Sequence, residues 1–245
     1  MIRLIFGGIY FVLSVIICLP YHLYLWISVK KDNYKGWYKS WRFVRGYFKT
    51  LLWFAGTKIE LRGFENLSEV PQDKGILFIG NHRSYFDIVA LQSVVDRPLG
   101  FIAKKEFQKV PFFSWWVADI GSLFLDRKNI RAGMETINEG IERMKKGLSL
   151  GLYPEGTRNH GDTLLPFKAG GYRLAEKSSS AMVLVSMTGM DDILENNKPI
   201  RLKKANVIIE FSKPYYPHEM EVKDRKEFYN EIPNLIQEKL DEHKQ

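Results

Sequence analysis

Only one cysteine, Cys18, stands in the 245 residues, so no disulfide can form within the chain and no thiolate cluster can hold a metal. The five histidines, His22, His82, His160, His218 and His243, are scattered without the close His/Glu pairing of a zinc site, which favours metal-independent chemistry. Charge is missing from positions 4 to 29, where there is no Asp, Glu, Lys or Arg. That run is long enough to cross a hydrocarbon core, which takes about 20 residues. A cleaved secretory signal is not expected, because the run exceeds a signal core and ends in Tyr21, Tyr24 and Trp26 rather than small residues. Pro20 interrupts it, so a full span and a kinked helix that enters the membrane without crossing both stay open. Acidic charge is scarce nearby. Residues 1 to 60 hold nine Lys/Arg against two Asp/Glu, whereas the remaining 185 hold 27 against 26. Basicity joined to the most apolar quarter of the chain points to anionic membrane lipids rather than to nucleic acid.

The segment after the uncharged run is amphipathic. Trp37, Trp41, Val44, Phe48, Leu52 and Ala55 recur every three or four residues, and Lys35, Lys39, Arg42, Arg45 and Lys49 trace a basic stripe at the same period. The pattern predicts a helix over 35–55 lying in the membrane plane, apolar face in the acyl boundary and cations on phosphates. Residues 1–56 are thus expected to form a membrane-binding helix pair, and 57–245 an α/β domain. If the first segment spans, the Lys/Arg excess on its C-terminal side places the rest in the cytoplasm.

From residue 58 strand-like and helix-like stretches alternate. Strands are expected at 58–61, 76–79, 99–103, 122–125, 149–153, 182–186 and 206–211. The clearest helix carries Ile130, Met134, Ile137, Ile141 and Met144 at helical spacing, and Gly147 can end it. A closing helix over 224–240 is expected to kink or restart at Pro233. The alternation predicts an α/β fold with a mixed, largely parallel sheet flanked by helices.

One turn stands out. Asn81-His82-Arg83-Ser84-Tyr85-Phe86-Asp87 follows an apolar strand and opens a helix that Ser84 can cap. His82 then lies at the carboxyl end of a strand, where open α/β sheets place ligands, and Asp87 in the helix's first turn could reach back to the imidazole. A carboxylate on Nδ1–H leaves Nε2 free to take a proton from a hydroxyl. Three further strand ends carry Lys104-Lys105-Glu106, Asp126-Arg127-Lys128 and Pro154-Glu155-Gly156-Thr157-Arg158. Gathered on one edge, their cations would suit a phosphate, whose oxygens match the guanidinium fork.

NHRSYFD, FLDR and PEGTR, in this order and spacing, resemble the motifs of the glycerolipid acyltransferases, closest to bacterial 1-acyl-sn-glycerol-3-phosphate (lysophosphatidic acid) acyltransferases. The resemblance covers about residues 60–215 and implies a glycerol-3-phosphate acyltransferase-like fold behind an N-terminal two-helix membrane-binding motif. It implies His82 as general base on the acceptor hydroxyl and Asp87 as the residue holding its ring. Arg127, Glu155, Gly156, Thr157 and Arg158 would bind the acceptor's phosphate and glycerol, with Lys104 or Lys105 beside them. The implied reaction moves a fatty acyl group from acyl-CoA or acyl carrier protein to the sn-2 hydroxyl of lysophosphatidic acid, with no cofactor beyond the thioester co-substrate. Location would be the cytoplasmic face of the cell membrane, as a monotopic protein or with one N-terminal span. One departure is visible: the family's fourth motif commonly has a proline near its end, and Ser186 stands there.

The same chemistry on another lysophospholipid or a lyso aminolipid stays open, since the motifs read phosphate and hydroxyl rather than the rest of the headgroup. A non-catalytic lipid-binding protein is disfavoured by the intact His82/Asp87 pair. A hydrolase is not supported, because no G-x-S-x-G nucleophile turn is expected.

Overall fold

The computed structural model describes residues 2–110 and 113–244. Seven strands, β1 (Lys58–Arg62), β2 (Ile76–Gly80), β3 (Leu99–Lys104), β4 (Leu123–Leu125), β5 (Ser149–Leu152), β6 (Ala181–Thr188) and β7 (Asn206–Phe211), join in one sheet of order β1-β7-β6-β2-β5-β3-β4. Strands β2 to β6 run parallel, β7 runs antiparallel to β6, and β1 pairs parallel with β7. The mixed, largely parallel sheet is the one expected, and all seven strands fall where the apolar runs put them. The exception is length: β6 continues two residues past Ser186, which is a buried strand residue rather than a strand end.

Every residue of β2 is buried, as in a parallel strand covered on both sides. Its side chains alternate. Ile76 and Phe78 enter a core with α3 (Asn33–Ala55) and α4 (Phe86–Val94), while Leu77 and Ile79 enter one with α6 (Ile130–Lys145), α7 (Arg173–Ser178) and α8 (Val222–Glu242). Helix α6 ends as foreseen. Gly147 takes φ +91° and donates to Met144 O, and Leu148 N–H donates to Arg143 O, which closes the last turn. Helix α8 runs through Pro233 as one element rather than restarting there.

The expectation for α3 needs correcting. Trp41, Val44, Leu52 and Ala55 lie in the sheet's core, and Trp37 is buried beside Leu148 and Met144. An apolar helical stripe suits a sheet face as well as an acyl layer, because hydrophobic burial has no direction. The opposite face does stay basic, with Lys39, Arg42 and Lys49 exposed. Arg45 instead turns to Ser93 O and Val94 O, capping the C-terminal end of α4.

The apolar N-terminal run forms α1 (Ile2–Ile17) and α2 (Leu19–Lys31), with Pro20 in the first turn of α2, where a missing N–H costs nothing. The stretches Ile5–Ser14 and Leu19–Lys31 meet at 57°. Among the described residues no single helix is long and apolar enough to cross a membrane, although the bent pair has the length and composition together. Ile5, Phe6, Val12, Ile17, Leu19 and Leu23 are exposed on it. The arm is anchored from α2: Leu25 is fully buried, and His22 Nδ1 lies 2.6 Å from Asp119 Oδ2 on α5 (Phe113–Asp119).

Candidate active site

Because β6, β2, β5, β3 and β4 are neighbours and parallel, their carboxyl ends share one edge. That edge gathers His82, the 154–158 loop, Lys104 and Arg127. His82 Nδ1 stands 2.7 Å from Asp87 Oδ2, and the same oxygen accepts from Arg83 N–H at 2.7 Å and Ser84 N–H at 2.8 Å. The N-cap position of the helix that carries Asp87 falls to Tyr85 rather than to Ser84, but Ser84 Oγ, one residue earlier, accepts Phe86 N–H at 2.9 Å and so satisfies the first helical amide. Asp87 is fully buried. Burial raises its carboxyl above the ordinary range, opposed by hydrogen bonds from His82, Ser84 and Arg83. An aspartate accepting at Nδ1 assigns that proton to Nδ1 and leaves the Nε2 lone pair free.

Tyr153 lies against the imidazole, ring centroids 4.5 Å apart and planes 18° from parallel. Burial pushes its phenol well above the usual value, so the ring is a neutral wall for His82. The loop after β5 also holds the histidine's backbone. His82 N–H donates to Glu155 Oε1 at 2.8 Å, and Asn159 N–H donates to His82 O at 2.7 Å. Glu155, expected to touch the acceptor, is turned inward: its second oxygen accepts Leu165 N–H at 3.0 Å, and the residue is 4% exposed. It positions His82.

The remaining candidates divide. Arg127 Nη1 donates to Gly156 O, and Gly156, at φ +75°, leaves room for this, since a Cβ there would sit 2.9 Å from that nitrogen. Thr157 is exposed. Lys105 is committed to Asp126 at 2.8 Å, whereas Lys104 is half-buried at the end of β3. Arg158 stacks on Tyr85, 3.7 Å from carbon to ring centroid, and donates to Tyr85 OH at 3.0 Å.

A groove of about 520 Å³ opens beside this edge. Leu125, Ile130, Met134 and Ile137 line its apolar part, and Arg127 and Lys168 line its polar end. The first half of the α6 stripe is therefore groove wall, with Ile130 82% exposed. Lys168 escaped sequence reading because it belongs to none of the motifs; only the fold brings it beside Gly156.

The letters G-x-S-x-G do occur, at Gly147-Leu148-Ser149-Leu150-Gly151, contrary to the sequence reading. Ser149 opens β5 at the opposite, amino edge of the sheet, fully buried, and its Oγ accepts Ile76 N–H. A nucleophile elbow needs an exposed serine on a strand-to-helix turn, so this is not one.

Residues 58–188 match the family model described as Acyltransferase, more than half of the chain. The chain belongs to the acyltransferase family. Among curated relatives of this acyltransferase, the 1-acyl-sn-glycerol-3-phosphate acyltransferase of Saccharomyces cerevisiae is 30% identical over 178 residues, covering 71% of this chain and 57% of the yeast protein. The protein of the same name from Haemophilus influenzae is 28% identical over 221 residues, covering 87% of this chain and 85% of its own. The chain thus spans little more than half the length of the yeast relative. The crystal structure of the 1-acyl-sn-glycerophosphate (LPA) acyltransferase PlsC from Thermotoga maritima shares the fold, with TM-score 0.75 and 18% identity over 98% of this chain and 96% of that one.

Proposed function

We propose that this acyltransferase moves a fatty acyl group from acyl-CoA or an acyl carrier protein to the sn-2 hydroxyl of 1-acylglycerol-3-phosphate, forming phosphatidic acid. The observation that carries the reading is the 2.7 Å contact of His82 Nδ1 with a buried carboxylate at the carboxyl edge of the sheet. Nε2 removes the hydroxyl proton as the oxygen attacks the thioester carbonyl carbon. The tetrahedral intermediate collapses, the C–S bond breaks, and the imidazolium returns its proton to the departing thiolate. The acceptor oxygen is itself the nucleophile, so the acyl group passes directly and no covalent acyl-enzyme forms. The names of the relatives support the acceptor, and the groove beside Arg127 and Lys168 has the amphipathic lining an acyl chain next to a phosphate requires.

The exposed apolar arm α1–α2 seats the enzyme in one leaflet, and the basic outer face of α3 meets anionic lipids on the cytoplasmic side. The test is turnover of purified, lipid-reconstituted protein with a panel of lysolipids against both thioesters. Lysophosphatidic acid should be the best acceptor, and His82→Ala should lower its turnover at least ~10²-fold, the scale of general-base catalysis. Wild-type turnover in that variant would end the general-base reading.

A further inference from the structure

The loop after β6 contains none of the recognised motifs, yet two of its carboxylates reach the turn that carries His82. Asp191 Oδ2 accepts from Arg83 Nε at 3.2 Å and Nη2 at 3.0 Å, and Arg83 Nη1 donates to Gly161 O at 2.6 Å. Glu195 Oε2 accepts Ser84 Oγ–H at 2.8 Å, and Glu195 Oε1 accepts Tyr85 N–H at 3.0 Å. That second oxygen also lies 3.4 Å from Arg158 Nη1. The two bonds to the turn keep the Glu195 carboxylate in place, and its side chain is only 11% exposed. The contact to Arg158 is long, so the guanidinium is neutralised without being locked. An arginine read as a phosphate ligand thus faces a carboxylate of the protein itself.

We propose that Glu195 is a specificity-determining residue for the acceptor, an internal anion that competes with the acceptor phosphate for Arg158. The inference rests on the reading of Arg158 as an acceptor-phosphate ligand. When the phosphate arrives, Arg158 exchanges a weak carboxylate contact for a stronger phosphate one, while Glu195 keeps Ser84 and Tyr85. The carboxylate repels the acceptor in proportion to the acceptor's charge, so its penalty is larger for a doubly charged phosphomonoester than for a singly charged phosphodiester. Glu195 therefore narrows the affinity gap between phosphomonoester and phosphodiester lysolipids.

Glu195→Gln removes the charge and keeps the shape. Its amide oxygen can accept Tyr85 N–H, and the Ser84 hydroxyl can rotate to accept the amide N–H while still accepting Phe86 N–H. The experiment measures apparent KM for lysophosphatidic acid and for lysophosphatidylglycerol in wild type, Glu195→Gln, Arg158→Ala and the double variant. Glu195→Gln should lower KM for lysophosphatidic acid by about threefold, the scale of a weak, partly exposed ion pair, and by less for lysophosphatidylglycerol, with the change carried by KM rather than kcat. Arg158→Ala should raise KM, and on that background the glutamine should lower it by less than in the presence of Arg158, because only the direct repulsion of the acceptor is left to remove. A KM unchanged or raised by Glu195→Gln, beside a raised KM in Arg158→Ala, overturns the inference alone. A KM untouched by Arg158→Ala overturns the phosphate role of Arg158 and the inference with it. Should the glutamine variant not fold, Glu195→Asp, which withdraws the charge by one methylene, must lower KM in the same sense for the inference to stand.

Discussion

His82 takes its orientation from three directions: Asp87 holds Nδ1, Tyr153 covers one ring face, and Glu155 and Asn159 grip the peptide on either side. The Asp87 contact decides the tautomer. In Asp87→Asn the amide oxygen that takes the place of Oδ2 would still face Nδ1–H, but it carries no charge to stabilise the imidazolium formed when Nε2 takes the proton. Because the amide oxygen still accepts Arg83 and Ser84 N–H, the fold should persist while turnover falls on the order of 10²- to 10⁴-fold, as when the carboxylate of a histidine base is lost elsewhere. Turnover set beside a circular-dichroism melt checks this; a variant that melts like wild type and turns over like wild type would remove Asp87 from the mechanism. The histidine, the aspartate and their spacing were legible in the sequence, because a strand-to-helix turn places residues five apart on one side. Glu155 faces inward although a charged residue in a glycine turn looks solvent-facing, because the N–H groups of His82, in the turn after β2, and of Leu165, farther along its own loop, meet its two oxygens only in the fold.

At the scale of elements, α2 and α5 meet through His22 and Asp119, with the imidazole stacked on Trp115 at a centroid distance of 5.5 Å and tilted against Trp116 at 5.1 Å. Burial pushes the Asp119 carboxyl up to about 7. A folded-state value above the ordinary 3.8 means the native state binds the proton more tightly than the unfolded chain does. This contribution to stability is therefore complete below the ordinary carboxylate range and is lost as pH rises from about 4 to about 7. Across that window the melting temperature of wild type should fall relative to that of Asp119→Asn, against the opposite slope of His22, whose pKa burial lowers. An identical profile in the two proteins would refute the linkage. Nothing in the sequence marks this pair, because His22 and Asp119 are 97 positions apart and each sits in a stretch that reads as apolar.

For the whole molecule, the N-terminal quarter divides at a different place than its composition suggests. Trp37, Trp41, Val44 and Leu52 of α3 are buried in the α/β body. At roughly 1.5–3 kcal/mol per buried large side chain, their loss approaches the entire net stability of a domain, about 5–15 kcal/mol. Deleting residues 1–56 should consequently yield unfolded protein. Deleting 1–18 spares Leu25, His22 and α3, and should leave a folded enzyme whose partition onto anionic vesicles falls at least ~10²-fold, because the exposed side chains of α1 each contribute on that same scale. Circular dichroism and vesicle sedimentation separate the two outcomes. Undiminished sedimentation of the shorter deletion would show that α1 is not an anchor.

Sequence alone determined the α/β alternation, all seven strands, the His82–Asp87 spacing and the cations at the strand ends, because each depends on periodicity or on neighbours a few positions away. Tertiary structure decided which apolar stripe faces a core and which stays exposed: α3 and the first half of α6 show equivalent patterns and opposite fates. It also decided which cations stay uncompensated, since Asp191 and Glu195 come from a loop more than 100 positions beyond His82 and reach it only because β6 lies beside β2. Burial and charge pairing depend on what the folded chain brings opposite a residue, and that partner is invisible in any local pattern.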